Sequence, residues 1–333
     1  MSSIGIIANP ASGKDIRRLV SHATVIDNNE KVNMMERIIL GAQQCGVDRI
    51  YIMPETNQMG YKALDKLQTA KELTAKVEIL DMRISAAAGD STMAARMLED
   101  MKVGCLVVLG GDGTHRAVAK GIRQIPLIGI STGTNNVYPE MMEGTVAGMA
   151  AGVVASGRFA RQDVCKKDKR IEIYRNGSFM DIALVDAVIS KSLVRGAKAI
   201  WDMEDMEKVF VSRCHPASIG FSSVLGMKLI VREEDDFGAC ADINARYCEL
   251  MAPIGAGLVI PICIGKPEKL PLDEESVYTA NFTGMIAVDG EREIEFRIRD
   301  HLAFRITRNG PYHVDIKKTL EMAQRSGYFE RPL

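Results

Sequence analysis

The chain has no excess of charge of either sign: 42 lysines and arginines stand against 43 aspartates and glutamates, a formal net charge of −1. That balance argues against a general nucleic-acid or membrane-surface binder, which carries a basic excess, while leaving room for a local basic mouth. No apolar run is long enough to span a bilayer. The short opening apolar segment gives way at once to Pro10 and a basic stretch, so no secretory leader is expected. The seven cysteines (Cys45, Cys105, Cys165, Cys214, Cys240, Cys248, Cys263) are odd in number, scattered and without a C-x-x-C pair. They fit reduced thiols filling the core of a cytoplasmic protein. Zinc spacing, internal repeats and low-complexity segments are also missing.

What is present is apolar content, 47% of 333 residues, enough for two cores. Up to about Gly157, short apolar runs (Ile4–Ala8, Arg49–Met53, Val77–Leu80, Cys105–Leu109, Leu127–Ile130) alternate with stretches of helical spacing (Glu30–Cys45, Gln58–Thr74, Asp90–Met101, Thr114–Arg123, Glu143–Ala155). This alternation predicts a mainly parallel sheet with right-handed crossovers. Beyond Gly157 the pattern becomes alternating runs at Arg170–Tyr174, Phe179–Val188, Met227–Val231, Ala256–Ile264, Val277–Val288 and Glu293–Ile298, with a hairpin signal at Asn176-Gly177. The expected fold class is an α/β N-terminal domain with a mainly parallel sheet, residues 1–157, plus a mainly β C-terminal domain, residues 158–300. One late helix is expected at Lys317–Arg325.

Gly110-Gly111-Asp112-Gly113-Thr114 lies directly behind the apolar run Leu106–Leu109. Glycines at the carboxyl end of a parallel strand let backbone N–H groups face phosphate oxygens with no Cβ in the way. Asp112 needs a further reason, because a carboxylate beside polyphosphate is repelled unless it binds Mg²⁺ or takes a proton from an attacking hydroxyl. The plainer alternative is a strand-to-helix turn with Asp112 or Thr114 as N-cap. Two similar loops strengthen the phosphate reading: Asn9-Pro10-Ala11-Ser12-Gly13-Lys14 follows the first strand, and Ser131-Thr132-Gly133-Thr134-Asn135-Asn136 follows the fifth. Three such strand ends converge at one crevice of a doubly wound sheet. Lys14, Arg17 and Arg18 would bring positive charge to its mouth.

In this order and spacing, NPASGK, GGDGT and GTNN resemble the superfamily that joins NAD kinases to diacylglycerol and sphingosine kinases. The opening NPASGKDIRRLVSHATVIDNNEKVN with GGDGTHRAVAKGI resembles most the acetoin catabolism protein X family, described as ATP-NAD kinase-like. The resemblance is specific in the first half and loose in the second. It implies ATP and Mg²⁺ as cofactors, NAD or a related small-molecule hydroxyl as acceptor, and a tail from residue 301 to 333 returning to the first domain. The nucleotide loops would be Asn9, Ser12, Gly13, Lys14, Gly110, Gly111, Gly113, Thr114, Thr134, Asn135 and Asn136. For Asp112 it implies a general base, as in NAD kinases, or part of the nucleotide and metal site, as in lipid kinases. Asn135-Asn136 stands where lipid kinases carry Asn-Asp, an acid changed to an amide.

The later half departs from the NAD kinase pattern. Ala183-Leu184-Val185-Asp186-Ala187-Val188 falls where those enzymes carry an ALNEVV-like strand, so Val185 offers no hydrogen bond to NAD, while Asp186 still accepts from a ribose hydroxyl. Ser212–Ser218 stands where they carry Thr-Gly-Ser-Thr-Ala-Tyr, and few positions agree. Ala252-Pro253-Ile254 and Asp289-Gly290-Glu291 resemble later landmarks, though Asp289-Gly290-Glu291 is also a plain hairpin turn. Asp27–Lys31 reads as a helix cap with exposed charges. His115 and Arg116 are either phosphate contacts or solvent-facing, and Trp201 is either at a pocket mouth or at a domain contact. The expected partners are a nucleotide, a small-molecule acceptor and further copies of the chain, with neither nucleic acid nor membrane. A lipid kinase and a non-catalytic nucleotide-binding regulator are the alternative readings.

Overall fold

A computed structural model describes residues 2–12, 22–24, 26–193, 203–244 and 249–330. Gly13, Lys14, Arg17, Arg18, Trp201 and Cys248 lie outside the described residues. The first half runs β1 (Ser3–Ala8), α1 (Asn28–Gln44), β2 (Arg49–Ile52), α2 (Met59–Thr69), β3 (Lys76–Ile79), α3 (Gly89–Asp100), β4 (Cys105–Gly110), α4 (Asp112–Ala119), β5 (Pro126–Ser131) and α5 (Gly144–Ala155). The five strands pair in parallel in the order β3-β2-β1-β4-β5. Side chains alternate across the sheet: Ile4, Ile6, Val107 and Leu109 pack toward α1, α2 and α5, while Ile7, Leu106 and Val108 pack toward α3 and α4. Burial on both faces is why β1, β4 and β5 read as continuous apolar runs.

After α6 (Arg161–Val164) and β6 (Cys165–Lys167) the architecture changes to β7 (Arg170–Arg175), β8 (Ser178–Ala183), β9 (Asp186–Ser190), β10 (Met206–Val211), α7 (Phe221–Gly226), β11 (Phe237–Asp242), β12 (Glu249–Gly255), β13 (Leu258–Cys263), β14 (Glu268–Pro271), β15 (Glu275–Thr279), β16 (Gly284–Val288), β17 (Glu291–Phe296) and β18 (His301–Thr307). These strands are antiparallel and build a six-stranded sheet, β14-β11-β10-β9-β16-β17, a four-stranded sheet, β15-β18-β7-β8, and the β12-β13 hairpin. The two larger sheets share a core in which the Phe210 and Phe304 rings stack at 3.8 Å. Asn176 and Gly177 both have positive φ, 51° and 78°, the conformation that a two-residue hairpin between β7 and β8 requires. Finally β19 (Tyr312–Val314) pairs in parallel with β5 and antiparallel with β6, and α8 (Ile316–Arg325) packs on α5.

Three expected runs differ, the first being Val277–Val288, which divides after Thr279 into β15 of the four-stranded sheet and β16 of the six-stranded one. Phe179–Val188 divides at Leu184-Val185, leaving β8 in the four-stranded sheet and β9 in the six-stranded one. Met227–Val231 is the end of α7 and a turn, with Val231 making only an isolated bridge to Cys214. No helix of the described residues is long and apolar enough to cross a membrane. Cys45, Cys105, Cys165, Cys214 and Cys240 are buried free thiols.

Candidate functional site

The carboxyl ends of β1, β4 and β5 are tied together by side chains. Asn9 forms an Asx turn, accepting from the Ala11 N–H at 2.9 Å, and its Nδ2 donates to Thr114 Oγ1 at 3.0 Å, 105 residues away. The Ser12 hydroxyl donates to the Asn9 carbonyl at 2.7 Å and stands 3.0 Å from Thr132 Oγ1. Asp27 caps α1 as expected, but Lys31 is wholly buried rather than solvated. Its Nζ donates to the Asn9 and Ser12 carbonyls at 3.0 and 2.8 Å and to Asn28 Oδ1 at 3.2 Å. A buried ammonium is tolerable only with such acceptors, and this one fixes the path of the first loop.

At the end of β4, Gly111 is the N-cap and α4 begins at Asp112, two residues before the expected Thr114 cap. Asp112 does not cap the helix. Its Oδ1 accepts from the N–H groups of Val137 and Tyr138 at 3.1 and 2.9 Å, and its Oδ2 accepts from Val137 at 3.1 Å. The third loop thus orients the carboxylate at the positive end of α4. A Cβ on Gly111 would lie 2.7 Å from Asn136 Oδ1, and one on Gly113 would lie 2.7 Å from Glu291 Oε1. A larger residue at either position would displace the end of that side chain, so the two glycines also serve the fit of Asn136 and Glu291 against the loop. Asn136 Nδ2 donates to Ser131 Oγ at 2.8 Å, while Asn135 Oδ1 accepts from the Ala256 N–H at 3.2 Å and so reaches the turn between β12 and β13. Thr134 Oγ1 accepts from the Thr24 N–H at 3.0 Å.

His115 and Arg116 face neither phosphate nor solvent; both are buried. The Arg116 guanidinium pairs with Asp181 at 2.8 Å, Glu291 at 3.1 Å and Asp289 at 3.9 Å, all carboxylates of the later half. His115 Nδ1 donates to the Gly111 carbonyl at 2.8 Å, which fixes the neutral tautomer; Nε2 is buried and makes no well-formed hydrogen bond among the described residues. Burial pushes its pKa down to about 4.

Asp289 is more than a turn residue. It is buried, and its carboxylate accepts from the N–H groups of Leu184, Val185 and Asp186 at 2.8–3.2 Å. These bonds hold the kink between β8 and β9 that presents Asp186. Burial pushes the Asp289 carboxyl up to about 6, against the opposing pull of Arg116 and the Leu184 N–H. Asp112, Asn135, Asp186 and Asp289 together line a narrow cleft of about 40 Å³ whose apolar wall includes Phe221 and Ile254. Val185 does not line it; it is fully buried in the apolar cluster with Leu106 and Val118. The Ser212 hydroxyl donates to the Leu184 carbonyl and Arg213 pairs with Asp168 at 3.3 Å, so both are turned away from the cleft. Ile219, Gly220 and Phe221 occupy that wall instead.

Among the described residues no group of three or more His, Cys, Asp or Glu side chains is arranged to hold a metal ion by itself. The oxygen donors of the cleft suit a hard cation that brings other ligands with it, as Mg²⁺ does with phosphates. The sequence reading brought together Asn9, Ser12, the glycine loop, Asn135, Asn136 and Asp186. It took Lys31 as an exposed cap residue, did not single out Tyr138 or Phe221, and undervalued Asp289, whose one signal was its likeness to a family landmark.

Residues 4–159 match the ATP-NAD kinase N-terminal domain, and residues 169–309 match the acetoin catabolism protein X C-terminal domain. Acetoin catabolism protein X of Cupriavidus necator is 35% identical over 332 residues, covering 97% of this chain and 92% of that protein. The parallel sheet with its three tied loops and the kinked β8–β9 passage are thus the two halves of one recognised architecture, and the chain belongs to the acetoin catabolism protein X family.

Proposed function

We propose that the cleft binds ATP with Mg²⁺ and transfers the terminal phosphoryl group to a hydroxyl of a small molecule related to NAD, with NAD itself a poor acceptor. The observation that carries this reading is the placing of two aspartates, Asp112 and Asp186, along one cleft beside glycine-rich strand ends, with Asp289 behind them fixing the backbone that carries Asp186. Hydroxyl donors and a phosphate-bound cation are the ligand chemistry that satisfies such a set. The hydroxyl oxygen attacks the γ-phosphorus, the bond to the β-phosphate oxygen breaks, ADP leaves, and Asp112 takes the hydroxyl proton. Loop amides near Gly111 and the N-terminus of α4 receive phosphate oxygens. Asp112, with the phosphates, would hold Mg²⁺, which when bound neutralises phosphate charge. Asp186 accepts from a second acceptor hydroxyl.

A second reading, a nucleotide-binding regulator without turnover, is favoured by one observation: Asp112 already accepts two backbone N–H groups. The test is incubation of the purified chain with ATP, Mg²⁺ and a panel of hydroxylated acceptors including NAD, followed by ³¹P NMR. A new phosphomonoester that requires both chain and acceptor supports the kinase. ATP binding with no acceptor phosphorylated and no ATP consumed supports the regulator.

A further inference from the structure

Tyr138 has two ends with two tasks. Its backbone N–H, with that of Val137, holds the Asp112 carboxylate. Its side chain runs the other way into the protein, 2% exposed. There the hydroxyl donates to Asp168 Oδ2 at 2.6 Å. The ring packs between those of His115 and His313, with centroids at 5.5 and 5.4 Å, and the Arg213 guanidinium stands 5.0 Å from its centroid. Asp168 is gripped in turn by Arg213 at 3.3 Å and His313 Nδ1 at 3.3 Å, and Arg213 also pairs with Glu233.

Such an assembly is poorly explained by stability alone. Removing two or more charges from water costs about as much as their attraction returns, and an apolar cluster of equal volume serves the fold as well. What a charged, hydrogen-bonded assembly adds over an apolar one is direction. A tyrosine ring could slide or turn among aliphatic neighbours, whereas a phenol bonded to a fixed carboxylate has one position. That position sets the Val137–Tyr138 backbone, and through it the orientation of the Asp112 carboxylate. The parts come from separate elements: Asp168 between β6 and β7, Arg213 after β10, His313 on β19.

We propose that Tyr138, fixed by Asp168, Arg213 and His313, is the positioning residue for Asp112, a brace through which the later half of the chain sets the geometry of the glycine-loop carboxylate. Its catalytic consequence rests on the phosphoryl-transfer reading above; its structural content does not. Tyr138→Phe removes the bond to Asp168 and leaves the ring. His313→Gln is the milder variant, because the His313 side chain is 23% exposed.

The experiment is site-resolved amide hydrogen exchange on the full chain, beside steady-state kinetics with the acceptor found above. In both variants the Val137 and Tyr138 amides are expected to exchange at least about fivefold faster, while amides in β1, β4 and β10 keep their rates. Turnover is expected to fall between about 10- and 100-fold with the KM for ATP unchanged, the effect of misplacing a reacting group rather than losing a binding contact. Unchanged exchange at Val137 and Tyr138 in a folded variant overturns the brace, as does acceleration spread evenly over the sheet. Local acceleration in a protein that shows no phosphoryl transfer leaves the brace standing and overturns the kinase reading instead.

Discussion

Arg116 on α4 donates to Asp181 on β8 at 2.8 Å, and this buried pair joins the glycine-loop helix to the antiparallel half. With Asp289 at 3.9 Å and Glu291 at 3.1 Å, Arg116 is the common counter-ion of three carboxylates. Lys120 offers Asp181 only a second, less buried partner, at 3.2 Å. Deleting one member of a buried ion pair leaves uncompensated charge and costs about 3–5 kcal/mol. Arg116→Ala is expected to lower unfolding free energy by that amount in urea titration, and Asp181→Asn by less. A loss below about 1 kcal/mol for Arg116→Ala would mean that water already solvates the cluster.

Gly111→Val tests the phosphate loop. Gly111 has an ordinary extended backbone, φ −99°, so valine is not strained there. Its Cβ nevertheless comes within 2.7 Å of Asn136 Oδ1, and the branched methyl groups would crowd the space over the loop amides. Loss of ATP binding in calorimetry with the far-UV spectrum unchanged is the expected result. Wild-type affinity in a folded variant would remove these amides from the site.

Asp112→Asn keeps size and loses the proton-accepting charge. The N–H donors of Val137 and Tyr138 can still bond the amide oxygen, so the fold is expected to hold and some nucleotide affinity to remain. Turnover should drop about a hundredfold or more, the usual range for removing a general base. Wild-type turnover by this variant would assign the proton to another group.

The first half was legible because its central strands β1, β4 and β5 are buried on both faces and each is followed by a glycine-bearing loop, so local sequence carries the information. The same cannot hold for Leu184-Val185. Nothing in Phe179–Val188 marks a break, because its cause is the carboxylate of Asp289, more than a hundred residues downstream, which takes the local N–H groups out of the ladder. Lys31 was misread for a related reason: a lysine in the first turn of a helix looks solvated unless its acceptors are known, and here they are backbone carbonyls of a distant loop. Met227–Val231 has strand composition, yet it follows directly on α7, where packing in the local core overrides propensity.

Two buried groups near the cleft titrate with opposite effects on stability. His115 is driven from 6.5 to about 4, so the unfolded chain binds a proton that the folded chain refuses, and stability falls as pH drops from 6.5 towards 4. Asp289 is driven from 3.8 up to about 6, so the folded chain keeps a proton that the unfolded chain releases, and stability falls as pH rises over much of the same window. The two slopes largely cancel in the wild type. In His115→Gln only the Asp289 slope remains of this pair. Relative to the wild type, that variant is expected to gain about 3 kcal/mol between pH 7 and pH 4, the worth of a gap of about 2.5 pH units. Parallel stability curves for the two proteins over this range would show that His115 already takes a proton in the folded state.

NAD is expected to be a poor acceptor or none. In Ser212–Ser218, the segment that stands where NAD kinases carry a polar run, Ser212 and Arg213 spend their hydrogen-bonding groups on Leu184 and Asp168, and the cleft wall is formed by the following Ile219, Gly220 and Phe221. Each unmade contact to a polar ligand costs about 1–3 kcal/mol, so two or three lower affinity by orders of magnitude. Restoring an NAD kinase-like Asn-Glu pair in full is not a clean remedy, since Val185→Asn would bury an amide in the Leu106 and Val118 cluster and destabilise the fold by about 1–3 kcal/mol. Asp186→Glu alone extends a carboxylate that already lines the cleft, and it is expected to raise NAD affinity modestly without loss of stability. Calorimetric titration of NAD into both proteins, with NADP formation followed under ATP and Mg²⁺, decides the point. Efficient NADP synthesis by the wild type would mean that the Phe221 wall accepts the dinucleotide through contacts other than those of NAD kinases, and would make the chain an NAD kinase in function.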